Sequence, residues 1–460
     1  MITVLPLDTP GLGDRTYLAH DGEVALVVDP QRDYDRVLGL AEAAGVRITH
    51  VFESHIHNDY VTGGLELARQ VGAQYLLNAE DPVAFERTGV SDGDVVAVGD
   101  RMRVKVLHTP GHTHTHLSFA LEADGASEAV FTGGSLLFGS TGRPDLLGPD
   151  HTQALAHAQW HSAQRLAAEL PDETAVYPTH GFGSFCSATQ SGGTASTVGQ
   201  EKLANPALTT DESRYVEDLL AALDAYPAYY AHMGTANSAG PGEVDLSLPT
   251  EADPAELRRR IEAGEWVVDL RNRTAFAAGH VGGTVNFGLD GQFVTYLSWL
   301  MPWGTQVTLL GETAEDVAEA QRELVRVGID RPAAMATGRP EEWTGGEPLR
   351  GYRTATFADL AAQLASRPDT AVLDVRRNQE RAESFIEGSV HIPIHEVLGR
   401  LDEIPVGEVW VHCAGGYRAG VVAALLDAHG VDVVAIDDSF DNARAAGLPL
   451  TTATLQEISA

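Results

Sequence analysis

The sequence predicts an α/β protein with three domains, and three observations support this fold class. The chain has 460 residues, more than one ordinary domain contains. Over its first half, short β-rich runs alternate with helix-like runs, and the strands end in turns rich in histidine or glycine. After a polar linker, two segments repeat one order of helices and strands, which indicates an internal duplication of small parallel α/β domains.

The first predicted domain covers residues 1–238. Its predicted strands include EVALVVDP, RITHVFESH, RVKVLHTPG, EAVFTGG and TAVYPTHG, and its predicted helices include YDRVLGLAEAAG and HAQWHSAQRLAAEL. Catalytic groups are often placed on the loops that follow strands, because a rigid sheet holds those loops in position. We therefore expect a functional site where these strands end.

The polar stretch Gly234–Pro254, rich in Gly and Pro, predicts a linker. The second and third domains are predicted over residues 250–346 and 352–460. Each contains a helix, a strand ending in Asp-Leu-Arg or Asp-Val-Arg, a turn with Gly and His, and a second buried strand. In the second domain that last strand reads VTLLGE and is followed by no cysteine, so we expect this copy to be catalytically silent.

Charge and cysteine content exclude several classes of partner and setting. The formal net charge of -34 argues against binding to nucleic acid or to an anionic membrane surface. Two cysteines in the whole chain indicate a reducing environment and not a disulfide-stabilised secreted protein. The N-terminal residues lack the pattern of a signal peptide, and no apolar run approaches the length of a membrane span. We therefore expect a cytoplasmic protein with no membrane partner.

Histidines follow three of the predicted strands of the first domain. The turn ESHIHNDY carries His55, His57 and Asp59, the turn HTPGHTHTH carries His112, and the turn YPTHG carries His180. Imidazoles two residues apart on an irregular turn can both face one ion, and a third from another strand completes a ligand set. This pattern predicts a metal centre.

These turns resemble the metallo-β-lactamase superfamily over roughly residues 1–235. The segments THGFGSFC and GRPDLLG resemble its persulfide dioxygenase group, in the bacterial type that is fused to rhodanese domains. The resemblance implies an αβ/βα sandwich and one non-haem iron ion that serves the oxidation of glutathione persulfide to sulfite. It also implies that His55 and His112 are iron ligands.

Two positions depart from the pattern of that superfamily. Its third ligand is an aspartate in a Thr-Gly-Asp turn, where this chain has Gly134, and Tyr60 replaces a histidine that binds a second metal in dinuclear members. A two-metal hydrolytic site is therefore not expected. Three alternatives remain for the iron site, or for zinc in its place: His57 completes a three-histidine set, the metal is weakly bound or absent, or a substitute ligand comes from Asp59, Asp145 or His180.

The clearest catalytic signal is VWVHCAGGYRAGVVAALL, in which a buried strand ends at Cys413, a glycine-rich loop follows and a helix begins. Backbone N–H groups of such a loop and the helix N-terminus favour negative charge, and Arg418 adds a positive one. The predicted substrate-binding residues are Ala414, Gly415, Gly416 and Tyr417. The loop resembles that of rhodanese sulfurtransferases over residues 352–455, which implies that Cys413 is a nucleophile that carries sulfane sulfur.

Cys186 follows the His-Gly-Phe-Gly-Ser turn, where the resemblance implies a second reactive cysteine near the metal. The preferred interpretation is an enzyme of sulfur metabolism that converts low-molecular-weight persulfides to sulfite and thiosulfate. Its partners would be a persulfide, thiosulfate or sulfite, and we expect a homo-oligomer. The alternatives are a zinc-dependent thioester hydrolase of the glyoxalase II type and a sulfurtransferase whose first domain is a metal-poor binding scaffold.

Overall fold

The structure, a computed structural model, describes residues 2–189 and 193–454. The chain divides into two compact units. The first comprises Met1–Asp245 and Leu324–Asp330, and the second comprises Leu246–Glu323 and Arg331–Ala460. The three predicted domain boundaries stay predictions, and residues 455–460 of the third predicted domain lie outside the described residues.

The first unit contains twelve of the described strands and seven of the described helices. Its strands are β1 (Thr3–Thr9), β2 (Asp14–His20), β3 (Val24–Val28), β4 (Arg47–Phe52), β5 (Gln74–Asn78), β6 (Thr88–Val90), β7 (Val95–Val98), β8 (Met102–His108), β9 (Leu117–Ala123), β10 (Ala126–Gly133), β11 (Ala175–Pro178) and β12 (Ser196–Thr197). Its helices are α1 (Asp35–Ala44), α2 (Gly64–Val71), α3 (Pro149–Glu169), α4 (Val198–Ala204), α5 (Pro206–Thr209), α6 (Glu212–Ala221) and α7 (Tyr230–Ala239).

The strands of the first unit form two six-stranded sheets, in the orders β1-β2-β3-β4-β5-β6 and β12-β11-β10-β9-β8-β7. Apolar side chains of both sheets share one core, in which Phe52 of the first sheet packs against Phe119 of the second with ring centroids 4.9 Å apart. Helices α1 and α2 cover the outer face of the first sheet, and α3 and α6 cover that of the second. The αβ/βα sandwich predicted from the resemblance is therefore confirmed.

The second unit contains the remaining described elements. Its strands are β13 (Trp266–Asp269), β14 (Val285–Asn286), β15 (Val307–Gly311), β16 (Ala334–Thr337), β17 (Arg353–Ala355), β18 (Ala371–Asp374), β19 (Phe385–Ile386), β20 (Val390–His391), β21 (Val409–His412), β22 (Val433–Ile436) and β23 (Leu450–Thr451). Its helices are α8 (Pro254–Glu262), α9 (Arg273–Ala278), α10 (Phe293–Leu300), α11 (Ala314–Arg326, whose last turn groups with the first unit), α12 (Pro340–Trp343), α13 (Phe357–Ser366), α14 (Asn378–Glu383), α15 (Tyr417–Ala428) and α16 (Asp441–Ala445), with 3-10 helices at Ile394–Gly399 and Leu401–Glu403.

Two parallel sheets of this unit share one strand order, β14-β13-β15-β16 in the first copy and β20-β18-β21-β22, extended by β17, in the second. The equivalent strands β13 and β18 end in matching ion pairs, Asp269 with Arg271 at 2.6 Å and Asp374 with Arg376 at 2.7 Å. The common order and the matching pairs support the internal duplication predicted from the sequence.

Capping residues set the start of the equivalent helices α8 and α13. The Asp253 carboxylate accepts the N–H of Glu256 at 2.8 Å, and Thr356 and Asp359 form a reciprocal capping box. Both signals are local, which is why the sequence predicts where these helices begin. Among the described residues, the longest apolar helical stretch falls short of a membrane-spanning segment.

Candidate functional site

Turns that follow strands of both sheets meet at one edge of the first unit. His55 and His57 come after β4, His112 comes after β8, and His180 comes after β11, and all four rings are buried. The ring centroid of His55 lies 4.8 Å from that of His112 and 5.5 Å from that of His180. The centroids of His112 and His180 are 5.2 Å apart. The structure therefore brings together histidines from three turns that are far apart in the sequence.

One nitrogen each of His55, His112 and His180 lies within 4.8 Å of the other two. The Nε2 atoms of these three rings are buried, and no described residue gives them a hydrogen-bond partner. Burying an imine nitrogen without a partner costs free energy, and a metal ion removes that cost. The chemistry of this donor set fits a metal ion with nitrogen ligands.

His57 has a different environment from that predicted. Its Nε2 lies 3.3 Å from Asp29 Oδ1, 3.2 Å from Glu53 Oε2 and 3.0 Å from the hydroxyl of Tyr60. Burial alone would lower the pKa of His57, but the two carboxylates raise it to about 9. Within 4.8 Å the structure groups His57 with Asp59 and His180, or with Asp29 and Glu53, and it groups His55 and His112 with His180 instead.

The other two candidate substitute ligands are carboxylates. Asp145 binds the guanidinium of Arg143 through both oxygens, at 2.7 Å each, so this carboxylate is already neutralised. Asp59 is buried and its Oδ2 lies 3.2 Å from His180 Nδ1. Asp59 is therefore placed to orient His180, while the role predicted for Asp145 as a ligand is not favoured by its ion pair.

Gly134, at the position of the expected aspartate, is in close contact with His112. A Cβ built at Gly134 would lie 2.6 Å from Cγ of the His112 ring, and one built at Gly142 would lie 2.7 Å from Nδ1. Both distances are shorter than real contacts. The His112 ring thus sits in a slot between two glycines, and it occupies the space that a side chain at position 134 would need. Sequence reasoning identified Gly134 as a missing ligand and did not identify Gly142.

Cys186 is fully buried beside the histidine cluster, and its carbonyl accepts the N–H of Arg143 at 2.8 Å. Burial raises the pKa of the Cys186 thiol well above its ordinary value, and the carboxylates of Asp59 and Asp14 add to this effect. The thiol is therefore protonated near neutral pH. The predicted reactive role of Cys186 stays a prediction, and its surroundings favour the thiol over the thiolate.

The Cys413 loop connects the buried strand β21 to the start of α15. The backbone N–H of Gly416 donates a hydrogen bond to Cys413 Sγ at 3.1 Å, while Ala414 and Gly415 are exposed. Because this N–H belongs to the residue preceding the helix, negative charge on the sulfur is stabilised by it and by the helix N-terminus. The hydroxyl of Tyr417 donates to the carbonyl of Gly288 at 3.0 Å, in the first copy.

Two residues of this loop region were missed by sequence reasoning. Glu380 on α14 binds Arg418 with two hydrogen bonds of 2.6 Å. Tyr296 on α10 of the first copy is buried, and its ring centroid lies 6.1 Å from that of Tyr417 in a tilted arrangement. Tyr296 also interacts electrostatically with Arg418 and Cys413. The sequence shows Glu380 three residues after Arg377 at the start of α14. No local pattern pairs Glu380 with Arg418, which lies 38 residues later.

The Glu380–Arg418 pair predicts a pH dependence of stability. Burial alone would raise the pKa of Glu380, but Arg418 lowers it from the ordinary value of 4.5 to about 2. A lowered pKa in the folded state stabilises the protein above the ordinary pKa, and this contribution disappears as the pH falls toward 2. We expect Glu380→Gln to lower the thermal unfolding midpoint at pH 7 and to lower it by a smaller amount at pH 3. An equal decrease at both pH values would contradict this assignment.

Comparison with known proteins supports both halves of this description. Residues 10–180 match the family described as the metallo-beta-lactamase superfamily, and residues 356–446 match the rhodanese-like domain. The protein named persulfide dioxygenase ETHE1, mitochondrial, from Bos taurus is 30% identical over 210 residues, which cover 44% of this chain and 74% of that protein. The chain belongs to the metallo-beta-lactamase superfamily. It is of the type fused to a rhodanese-like domain, as predicted; the match covers the second copy, and the rhodanese identity of the first copy stays a prediction.

Other known proteins are similar to this chain over part of their length. A hydroxyacylglutathione hydrolase from Maricaulis maris (strain MCS10) is 34% identical over 174 residues, 36% of this chain and 61% of that protein. The chain thus spans less than two thirds of the hydrolases it matches. A crystal structure of a metallo-beta-lactamase from Staphylococcus aureus subsp. aureus COL has 27% identity and a TM-score of 0.66, and the match covers 74% of this chain and 99% of that one.

Proposed function

We propose that this protein is an enzyme of sulfur metabolism that acts on low-molecular-weight persulfides, with sulfur transfer at Cys413 and persulfide oxidation at the histidine cluster. The observation that carries the proposal is the hydrogen bond from the Gly416 N–H to Cys413 Sγ at the start of α15. The sulfur of this nucleophile candidate receives a backbone N–H at the helix N-terminus, and Arg418, which is bound to Glu380, lies in the first turn of the same helix. Relatives named persulfide dioxygenases support the oxidative half.

In the proposed transfer, the Cys413 thiolate attacks the outer sulfur of a persulfide. The S–S bond of the donor breaks, the donor thiolate leaves with the electron pair, and Cys413 becomes a persulfide. Sulfite then attacks the outer sulfur of that persulfide, which forms thiosulfate and returns the Cys413 thiolate. The Gly416 N–H stabilises the sulfur anion at both ends of this cycle.

In the proposed oxidation, one persulfide, one dioxygen and one water give one thiol and one sulfite. Iron, when bound, supplies the redox chemistry that a reaction with dioxygen requires, whereas zinc supplies only a Lewis acid. The contribution of the chain is to orient the ligand rings. The Nδ1 atom of each ring has an oxygen partner: the hydroxyl of Ser54 for His55, the carbonyl of Arg143 for His112, and the carboxylate of Asp14 for His180.

Thioester hydrolysis is the second candidate function, because the hydroxyacylglutathione hydrolases are up to 34% identical to this chain. A dinuclear hydrolytic site would need ligands at positions 60 and 134. Tyr60 is buried with its hydroxyl 3.0 Å from His57 Nε2, and Gly134 has no donor atom. These two residues favour a site for one metal ion and therefore favour the oxidative proposal. A metal-poor scaffold that presents persulfides to Cys413 is the third candidate, because Gly134 removes a ligand.

Metal analysis combined with oxygen uptake tests the proposal. We expect the purified protein to contain about one iron ion per chain and to consume dioxygen with glutathione persulfide. His112→Ala should lower this uptake at least about 100-fold, because it removes a ligand outright and even indirect metal partners are worth 10–100-fold. The matched control is His114→Ala, an exposed histidine in the same turn. Zinc with thioester turnover would instead identify the hydrolase, and sulfur transfer without metal would leave the scaffold.

A further inference from the structure

We infer that His180 is the third ligand of a single metal ion held with His55 and His112, in place of the carboxylate that is lost at Gly134. The inference rests on the metal chemistry of the proposed function and names its ligands. It replaces the set of His55, His57 and His112 predicted from the sequence. In this arrangement the ion lies between one histidine from each of the turns that follow β4, β8 and β11.

The hydrogen-bond partners of the three rings indicate which nitrogen of each ring is available to a metal ion. Nδ1 of His112 faces the carbonyl oxygen of Arg143 at 2.8 Å, which only accepts, so this nitrogen carries the proton. Nδ1 of His180 faces Asp14 Oδ1 at 2.9 Å and Asp59 Oδ2 at 3.2 Å. With Nδ1 engaged in this way, the nitrogen that each ring offers to a metal ion is Nε2, which is the atom left buried without a described partner.

Two consecutive hydrogen bonds likewise leave Nε2 of His55 available to a metal ion. The hydroxyl of Ser54 donates to Asp29 Oδ2 at 2.7 Å, and the hydroxyl oxygen of Ser54 lies 2.9 Å from Nδ1 of His55. Since the hydroxyl proton is used on Asp29, Ser54 accepts from His55 and leaves its Nε2 free. In all three rings, Nδ1 therefore has an oxygen partner and Nε2 is available. Proteins orient metal-binding histidines by this arrangement.

His57 is held back from this set by its own partners. Two carboxylates and the hydroxyl of Tyr60 surround its Nε2. Its Nδ1 is also buried without a described partner, but within 4.8 Å the structure groups His57 with Asp59 and His180 and not with His55 and His112. Glu53 is one of these two carboxylates, and it gives His57 Nε2 a second acidic partner beside Asp29. The environment of His57 thus explains why His180 is the better third ligand.

The glycine slot links the lost carboxylate to the gained histidine. The His112 ring occupies the space next to Gly134, where any side chain would begin only 2.6 Å from its Cγ atom. With the ring in this slot, no carboxylate at position 134 is compatible with the described position of His112. His180, whose ring centroid is 5.2 Å from that of His112, then supplies the missing donor atom.

Cobalt binding tests the ligand assignment without any turnover. Metal-free protein is titrated with Co²⁺ under anaerobic conditions. The d–d absorption of the bound ion gives the affinity, and elemental analysis by mass spectrometry gives the stoichiometry. The unmodified protein should bind one Co²⁺ per chain. His180→Gln should weaken binding more than about 100-fold, because even the loss of a residue that only hydrogen-bonds a ligand lowers metal affinity about 10–100-fold. His57→Gln should weaken it less than about 10-fold, and His114→Gln, the exposed control, should match the unmodified protein.

A second variant keeps the test valid if His180→Gln does not fold. Asp14→Asn retains a hydrogen-bonding side chain behind His180 and should weaken Co²⁺ binding about 10–100-fold by loosening the ring orientation. Co²⁺ affinity of His180→Gln or Asp14→Asn within about threefold of the unmodified protein would overturn the inference, as would a larger loss in His57→Gln than in His180→Gln. Tight His180-dependent binding without oxygen uptake would refute the proposed oxidation and leave the ligand assignment intact.

Discussion

Replacing Cys413 with serine is expected to abolish sulfur transfer from thiosulfate to cyanide, with a loss of at least about 1000-fold, because removal of a catalytic nucleophile has effects of this size or larger. A serine hydroxyl in the same loop keeps the contact with the Gly416 N–H but cannot form a persulfide. The measurement is the initial rate of thiocyanate formation. Mass spectrometry of the unmodified protein after incubation with donor should show the mass gain of one sulfur atom on the peptide that contains Cys413.

Cys186→Ser is the informative comparison for this prediction, since the resemblance implies that Cys186 is a second reactive cysteine. The two thiols have opposite surroundings. Both are buried, but Cys186 lies next to the carboxylates of Asp59 and Asp14, whereas Cys413 receives a backbone N–H and lies near Arg418. We therefore expect Cys186→Ser to keep the rate of thiocyanate formation. Transfer that persists in Cys413→Ser and disappears in Cys186→Ser would reverse the assignment.

The sequence predicted the fold class because its evidence is local. The alternation of strands and helices, the strand-end turns and the repeated Asp-x-Arg pattern are read within short windows, and they reappear as the sandwich and as the two sheets of equal strand order. The same local evidence placed Cys413 between a buried strand and a helix. It also placed His55, His112 and His180 at the ends of strands that a sandwich brings together.

The ligand set could not be predicted in the same way, because it depends on contacts between distant residues. The ring of His180 is oriented by Asp14, 166 residues earlier in the chain. His57 is engaged by Asp29, and the position of His112 depends on the slot between Gly134 and Gly142. Motif spacing describes which side chains leave one turn together, but it does not describe which nitrogen of each ring remains without a partner.

Gly416→Ala is expected to lower both stability and sulfur transfer. Gly416 has a φ of 95°, a conformation that L-residues rarely adopt, and a Cβ there would overlap the carboxylate of Asp437, which pairs with Arg273 at 2.7 Å. Strain of this kind costs about 1–3 kcal/mol. The relaxed loop would also lose the N–H bond to Cys413 Sγ, and the loss of one such donor to a reacting anion lowers rates about 100-fold.

The neighbouring residue Gly415 provides a matched control for this prediction. It is exposed, its φ is not positive, and a Cβ built on it meets no atom within 4 Å. Gly415→Ala should therefore leave the thermal unfolding midpoint unchanged within error, while Gly416→Ala lowers it. If the two variants lose activity equally, the side chain added to the loop blocks the substrate in both. The backbone geometry at Gly416 would then not be what activates Cys413.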